Sequence, residues 1–325
     1  MTNFFRKAIF YIAAIWAAVT LNFFIPRFMP GDPVQSMYTR FQGQLPADAM
    51  DSLYKLLHYN PGTPLWTQYI GYWADLFHGN LGLSFRNYPT PVVQVIADAL
   101  PWTIALVGMA TVIAFALGTL IGMLTGWRRG GVSEMVIPVT TFFSAMPYFW
   151  IALVLIAFFS IHLGWLPFAF GYDPSLRPGF TWAFIGSAAQ HALLPALTIV
   201  ISSIAGWILS MRNMMVTVSS EDFVTVAQAK GLPEGQVMFR YAARNAILPQ
   251  ISGFALSLGF VVSGALVMEQ VFSYPGIGFR LLQAVGSKDY PLMQGIFLVI
   301  TLAVILANIL ADVVYAILDP RTRKD

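Results

Sequence analysis

The sequence predicts an all-α polytopic membrane protein with six transmembrane helices and a helical extracytoplasmic insertion between spans one and two. Three observations predict it. Six apolar runs approach or exceed the ~20 residues that cross a bilayer. Only 10% of the 325 residues are charged, where a soluble domain carries about 25%. The one long polar excursion in the first third is dense in aromatic residues. Lipid offers no partner to backbone N–H and C=O groups, so each crossing must be a helix.

Residues 1–25 form a short basic N-terminus (Arg6, Lys7) and the first span, apolar from Ala8 to Ile25 except for Thr20 and Asn22. That run is too long for a signal-peptide core and ends in Ile25–Pro26–Arg27, so it is expected to stay as a span. Residues 26–98 are the insertion. It opens with the turn-forming Pro30–Gly31–Asp32–Pro33. Leu53, Leu56 and Leu57 mark one amphipathic helix, and Leu65, Tyr69, Tyr72, Trp73 and Leu76, with Trp66 beside them, mark another. These aromatics suit either a membrane–water boundary or the core of a small packed subdomain.

Residues 99–317 hold the five-span core. Its apolar runs are Leu100–Gly126, Met135–Leu163, Ala188–Met211, Ile251–Phe272 and Leu292–Ile317, with a cytoplasmic loop at 213–249. Residues 318–325 are a cytoplasmic tail.

Six spans put both termini on one side, and basic residues identify it. Arg6, Lys7, Arg128, Arg129, Arg212, Lys230, Arg240, Arg244, Arg321, Arg323 and Lys324 lie on the N-terminal side, in short loops. Arg27, Arg40, Lys55, Arg86, Arg177, Arg280 and Lys288 are spread over the longer loops opposite. The positive-inside rule then places both termini in the cytoplasm.

Within the spans, Ala110, Ala114, Gly118, Gly122 and Gly126 repeat at i+4. Such a stripe lets two helices approach closely, either within this bundle or against a partner subunit. Pro138, Pro147 and Pro195 predict kinks. Ser252, Ser257 and Ser263 give the fifth span a weakly polar face, which fits a translocation path or ordinary packing. Glu269 and Asp312 lie toward span ends, where a carboxylate costs less than the ~2.5–3.5 kcal/mol of the bilayer centre. Glu269 fits either loop packing or substrate passage.

The stretch from Glu221 to Pro249 is polar, yet it is not written like a loop. Phe223, Val226, Ala227 and the Lys230 stem recur at i, i+3, i+4, i+7, one face of a helix. Gly231 supplies a left-handed end, with Leu232 after it and Pro233 blocking continuation. Glu234 starts a second helix and Arg240 and Arg244 lie near its end, as the helix dipole prefers. Pro249 then breaks the chain into the next apolar run. A rigid helix–Gly–helix hairpin on the membrane surface is a docking element, unless it folds only to satisfy its own backbone.

Ala227, Ala229, Lys230, Gly231, Leu232 and then Arg244, Asn245, Ala246, Ile247, Leu248, Pro249 resemble the coupling loop, or EAA loop, of ABC importer permeases in the dipeptide/oligopeptide/nickel family. Thr225 stands where the eponymous glutamate would be. Pro30–Pro33, the string Gly79–Ser84, the string from Glu269 to Gly278 and the closing Leu310–Arg323 also resemble that family. The resemblance implies a type I importer permease fold and the first of two permease subunits. It also implies a second homologous permease, two ATP-binding subunits that carry ATP and Mg, and an extracytoplasmic substrate-binding protein, all in the inner cell membrane. Coupling to the ATPase would fall to Ala227, Lys230, Gly231, Leu232, Pro233, Glu234, Arg240, Arg244, Asn245 and Pro249. The path would involve Ser252, Ser257, Ser263 and Glu269. Relatives carry peptides, oligosaccharides, nickel or glutathione. Uncharged span interiors favour a neutral or zwitterionic solute, and the lack of a His/Met cluster in the spans argues against nickel.

Missing motifs narrow the classes. No Gly-Lys pair exists for a phosphate-binding loop, so the chain is not expected to hydrolyse ATP. A proton- or sodium-coupled carrier would bury ionisable groups at mid-membrane. His58, His78, His162 and His191 lack metal-ligand spacing, and without cysteine there is no disulfide framework. A net charge of +3 gives no case for nucleic acid. What remains is a pore subunit driven by others, or a membrane scaffold that anchors a cytoplasmic partner.

Overall fold

A computed structural model describes residues 2–28, 62–128, 130–262 and 265–318. Its named elements are all helices: α1 (Thr2–Arg27), α2 (Leu65–Phe77), α3 (Val92–Trp127), α4 (Val132–Ala145), α5 (Tyr148–His162), α6 (Trp182–Val218), α7 (Asp222–Ala229), α8 (234–246), α9 (Leu248–Val261), α10 (Leu266–Val271), α11 (Ile277–Ser287) and α12 (Tyr290–Leu318). The turn at Pro30–Pro33, the helix expected around Leu53–Leu57, Ser263 and the tail from residue 319 lie outside the described residues.

Among the described residues, three unbroken helices are long and apolar enough to cross a membrane: Val92–Trp127, Trp182–Val218 and Tyr290–Leu310 of α12. The run expected as one span over 135–163 forms α4 and α5, which are long and apolar enough together but are bent by 96° at the break between them. Pro147 stands at the bend, in an extended conformation that helix continuation forbids. The run expected over 251–272 is also divided, into α9, which ends at Val261, and α10, which starts at Leu266. The first apolar run is helical throughout, with Ile9–Ile25 as its apolar part.

The chain forms two compact units. One comprises Met1–Trp102 and Pro275–Ile305. The two polar residues of the first span find their reason here. The Asn22 Nδ2 donates to the Gln294 carbonyl over 2.7 Å, and the Gln294 Nε2 donates to the Asn22 carbonyl over 3.4 Å. The Thr20 hydroxyl meets the Tyr69 hydroxyl at 2.7 Å. Buried Asp289 caps α12 by accepting from Leu292 N (3.2 Å), and also accepts from the Ser84 hydroxyl (2.6 Å) and Arg86 N (2.9 Å). One carboxylate thus fixes both the start of a span and the loop before α3.

The other unit comprises Thr103–Tyr274 and Leu306–Asp325. Its axis is the packing of α3 on α6. Ala110, Ala114, Gly118, Gly122 and Gly126 are all buried. A Cβ on Gly122 would lie 2.5 Å from the Ile208 carbonyl oxygen, and one on Gly126 would lie 2.6 Å from the Met215 Cβ. The small-residue stripe therefore packs within this bundle.

Candidate functional site: the helix–Gly–helix hairpin

Glu221 lies in extended conformation just before α7, and Val224 N donates to its carbonyl, which starts the helix. The helix ends at Lys230. Gly231 has φ +71°, in the left-handed region, and its N–H donates to the Gln228 carbonyl over 2.9 Å. Only glycine enters that region without strain. Pro233, fixed near φ −56°, precedes α8, and its carbonyl accepts from Gln236 N and Val237 N. A π-helical segment, Val237–Ala242, occupies the middle of α8. Arg240 belongs to that segment, and Arg244 to the last turn. The Asn245 Nδ2 donates to the Tyr241 carbonyl over 2.9 Å. Pro249 falls in the first turn of α9, where a missing N–H costs nothing. Next to it, Gln250 is buried, and its amide has no partner among the described residues.

The hairpin is welded to the ends of two long helices. Val224 and Ala227 of α7, with Val237, Met238, Ala242, Ala243 and Ala246 of α8, pack on Met123 of α3 and on Met211, Met215 and Val218 of α6. Trp127, Met214, Leu232 and Ile247 close the edges. The indole of Trp127 donates to the Glu234 carboxylate over 2.9 Å. Methionine suits such a junction because its flexible chain fills irregular gaps.

The helical face expected from Phe223, Val226, Ala227 and Lys230 splits in two. Ala227 turns inward with Val224, three residues apart. Phe223 (40% exposed) and Val226 (51%) turn outward, as does Lys230. The i, i+3, i+4, i+7 pattern merged two apolar faces, one packed and one bare. Val224 and the methionines of α6 were not among the expected residues, although the Val224–Ala227 spacing was a readable signal. Glu234, Phe239, Arg240, Tyr241, Arg244 and Asn245 are exposed on α8, and Pro233 is exposed before it. The described hairpin residues thus bring Ala227 and Leu232 to the packed side, and Lys230, Gly231, Pro233, Glu234, Arg240, Arg244, Asn245 and Pro249 to the surface.

Of the residues expected on a path, Ser252 and Ser257 lie on α9 and Glu269 on α10. The Ser252 and Ser257 hydroxyls donate back to the Leu248 and Phe254 carbonyls of their own helix, at 3.4 and 2.7 Å. Glu269 is fully buried on α10 and accepts from the Thr103 hydroxyl over 2.8 Å. Its backbone carbonyl accepts from Tyr274 N over 2.7 Å.

Residues 118–324, which contain the whole hairpin, match the family described as the binding-protein-dependent transport system inner membrane component. The chain is 31% identical over 317 residues to the oligopeptide transport system permease protein AppB of Bacillus subtilis, covering 97% of each. It is 34% identical to the di/tripeptide transport system permease protein DppB of Pseudomonas aeruginosa, covering 98% of this chain and 97% of the relative. It is 30% identical to the dipeptide transport system permease protein DppB of Escherichia coli, covering 99% of each. The hairpin and the matched family point the same way, and this chain belongs to the binding-protein-dependent transport system inner membrane components.

Proposed function

We propose that this chain is one of two pore-forming permeases of an ATP-driven importer of di- or oligopeptides. The peptide permeases it resembles along almost its whole length support that substrate class. An extracytoplasmic binding protein selects and delivers the peptide, and a second, homologous permease completes the pore. Two ATP-binding subunits, which hold the ATP and Mg, dock on the cytoplasmic side, where both termini also lie.

The observation that carries the reading is the division of α7. Val224 and Ala227 are buried against α3 and α6, while Phe223, Val226 and Lys230 stand bare. An apolar pair beside a cation, on a helix locked to two long helices, is a handle. A push on its outer face reaches α3 and α6 without being absorbed in a loop, because the packed core beneath it transmits strain.

Gly231→Pro tests this. Proline near φ −65° cannot occupy φ +71° and also loses the N–H bonded to Gln228. The variant is expected to insert and to assemble with its partner permease, while peptide-stimulated ATPase activity of the complex disappears. Full stimulation in the variant would refute the coupling role.

A further inference from the structure

Successive residues of an α-helix turn by about 100°. On α2 this gathers Trp66, Ile70, Trp73 and Phe77 into an arc of about 60°. Trp66 is 69% exposed, Ile70 52% and Phe77 83%, with Trp73 half-buried. Asp75, the one charged residue of α2, lies on the opposite side, about 170° around. The flank between the two is committed to α1. Tyr69 meets the Thr20 hydroxyl, and the Tyr72 hydroxyl accepts from the Asn22 Nδ2 over 3.3 Å. The Trp66 face is therefore distinct from the face that packs on α1, and it is bare among the described residues.

Two further observations say what covers it. First, it is continuous with the exposed apolar surface of α1, which includes Trp16, Leu21 and Ile25. Phe24 stacks on Tyr69 at 6.2 Å, and Tyr69 stacks on Trp66 at 5.7 Å, so the surface passes from span to α2 without a polar gap. Second, Arg27 marks the depth. Its guanidinium sits 3.6 Å over the Phe23 ring and donates to the Phe23 carbonyl, and its Nε donates to Gln68 of α2 over 3.1 Å. An arginine at the end of an apolar span belongs at the headgroup level, where tryptophan is also enriched.

We propose that α2 is seated in the membrane–water boundary at the Arg27 end of α1. Its Trp66–Ile70–Trp73–Phe77 face lies in lipid, and Asp75 faces water. An amphipathic helix with a bulky apolar face and a charged opposite side takes this position. The segment anchors the middle of the insertion to the bilayer.

The chain has no cysteine, so it adds no labelling background of its own, and the complex without an introduced cysteine is the blank. Trp66→Cys, Ile70→Cys, Phe77→Cys and Asp75→Cys would each be spin-labelled in the assembled transporter, in nanodiscs of phosphatidylethanolamine and phosphatidylglycerol. The ratio of relaxation by oxygen to relaxation by a water-soluble nickel chelate is expected to be about tenfold higher at the first three sites than at residue 75. High nickel access at those sites would overturn the proposal. Low access to both reagents would also overturn it, by showing a protein cover. In the unlabelled protein, quenching by brominated lipid should fall in both Trp66→Phe and Trp73→Phe. An unchanged quenchable fraction in both would equally reject the placement.

Discussion

The indole of Trp127 donates to the Glu234 carboxylate over 2.9 Å, bridging the end of α3 and the first turn of α8. The bond spans 107 positions in sequence and supplements the apolar core beneath it. Trp127→Phe keeps most of the packing and removes the donor, for a cost of about 0.5–1.5 kcal/mol. The expected outcome is unchanged expression with lower peptide-stimulated ATPase activity. Glu234→Gln, whose amide oxygen still accepts, should retain more activity. Steady-state ATPase rates of the two variants check the order.

Val226→Asp should leave the hairpin folded, because Val224 and Ala227 carry its core packing. A charge placed on the bare face should weaken association with the ATP-binding subunits about tenfold or more. Co-purification across a salt series reads this directly, and thermal unfolding of the permease alone should not move.

Gly122→Ala introduces a Cβ that would lie 2.5 Å from a backbone oxygen and 2.8 Å from the Met211 Cβ. Neither atom belongs to the far end of a flexible chain, so α3 and α6 must separate. A loss of about 1–3 kcal/mol is expected. Gly206→Ala, in open space on the same α6, is the control and should be silent. Unfolding in detergent, followed by far-ultraviolet circular dichroism, separates them.

Burial pushes the Tyr72 phenol up from 10.0 to about 12, partly offset by the Asn22 hydrogen bond and by Arg27. The folded state therefore holds this proton after the unfolded state has released it. Stability from this group is complete below pH 10 and declines as the pH rises toward 12. Tyr72→Phe should flatten that limb of the profile. Unfolding midpoints at pH 9 to 12 provide the check.

The helices and the hairpin's turn were legible because period, length and turn chemistry are local properties. Gly231 announced its left-handed turn, and Pro233 the start of the next helix. The 96° bend at Pro147 was anticipated only as a kink, because a proline sets a break but not its angle. The division of the fifth run after Val261 was not anticipated, since mean apolarity along a run does not report where its helix stops. The assignment of faces on α7 also failed. Phe223, Val224, Val226 and Ala227 share one arc of about 160°, and only the surfaces of α3 and α6 decide which pair is buried. The partner of the small-residue stripe was likewise beyond local reading, because α3 and α6 meet across some ninety positions of sequence.

The reciprocal amide pair of Asn22 and Gln294 joins positions 272 residues apart. A ribosome finishes the first helix long before it makes the glutamine. Until then the asparagine waits in the nascent chain with its final bond unmade, a polar spot on a segment already released from the translocon. Biogenesis therefore ends where it began, and a chain stopped short of residue 290 would carry an open clasp that membrane quality control can read.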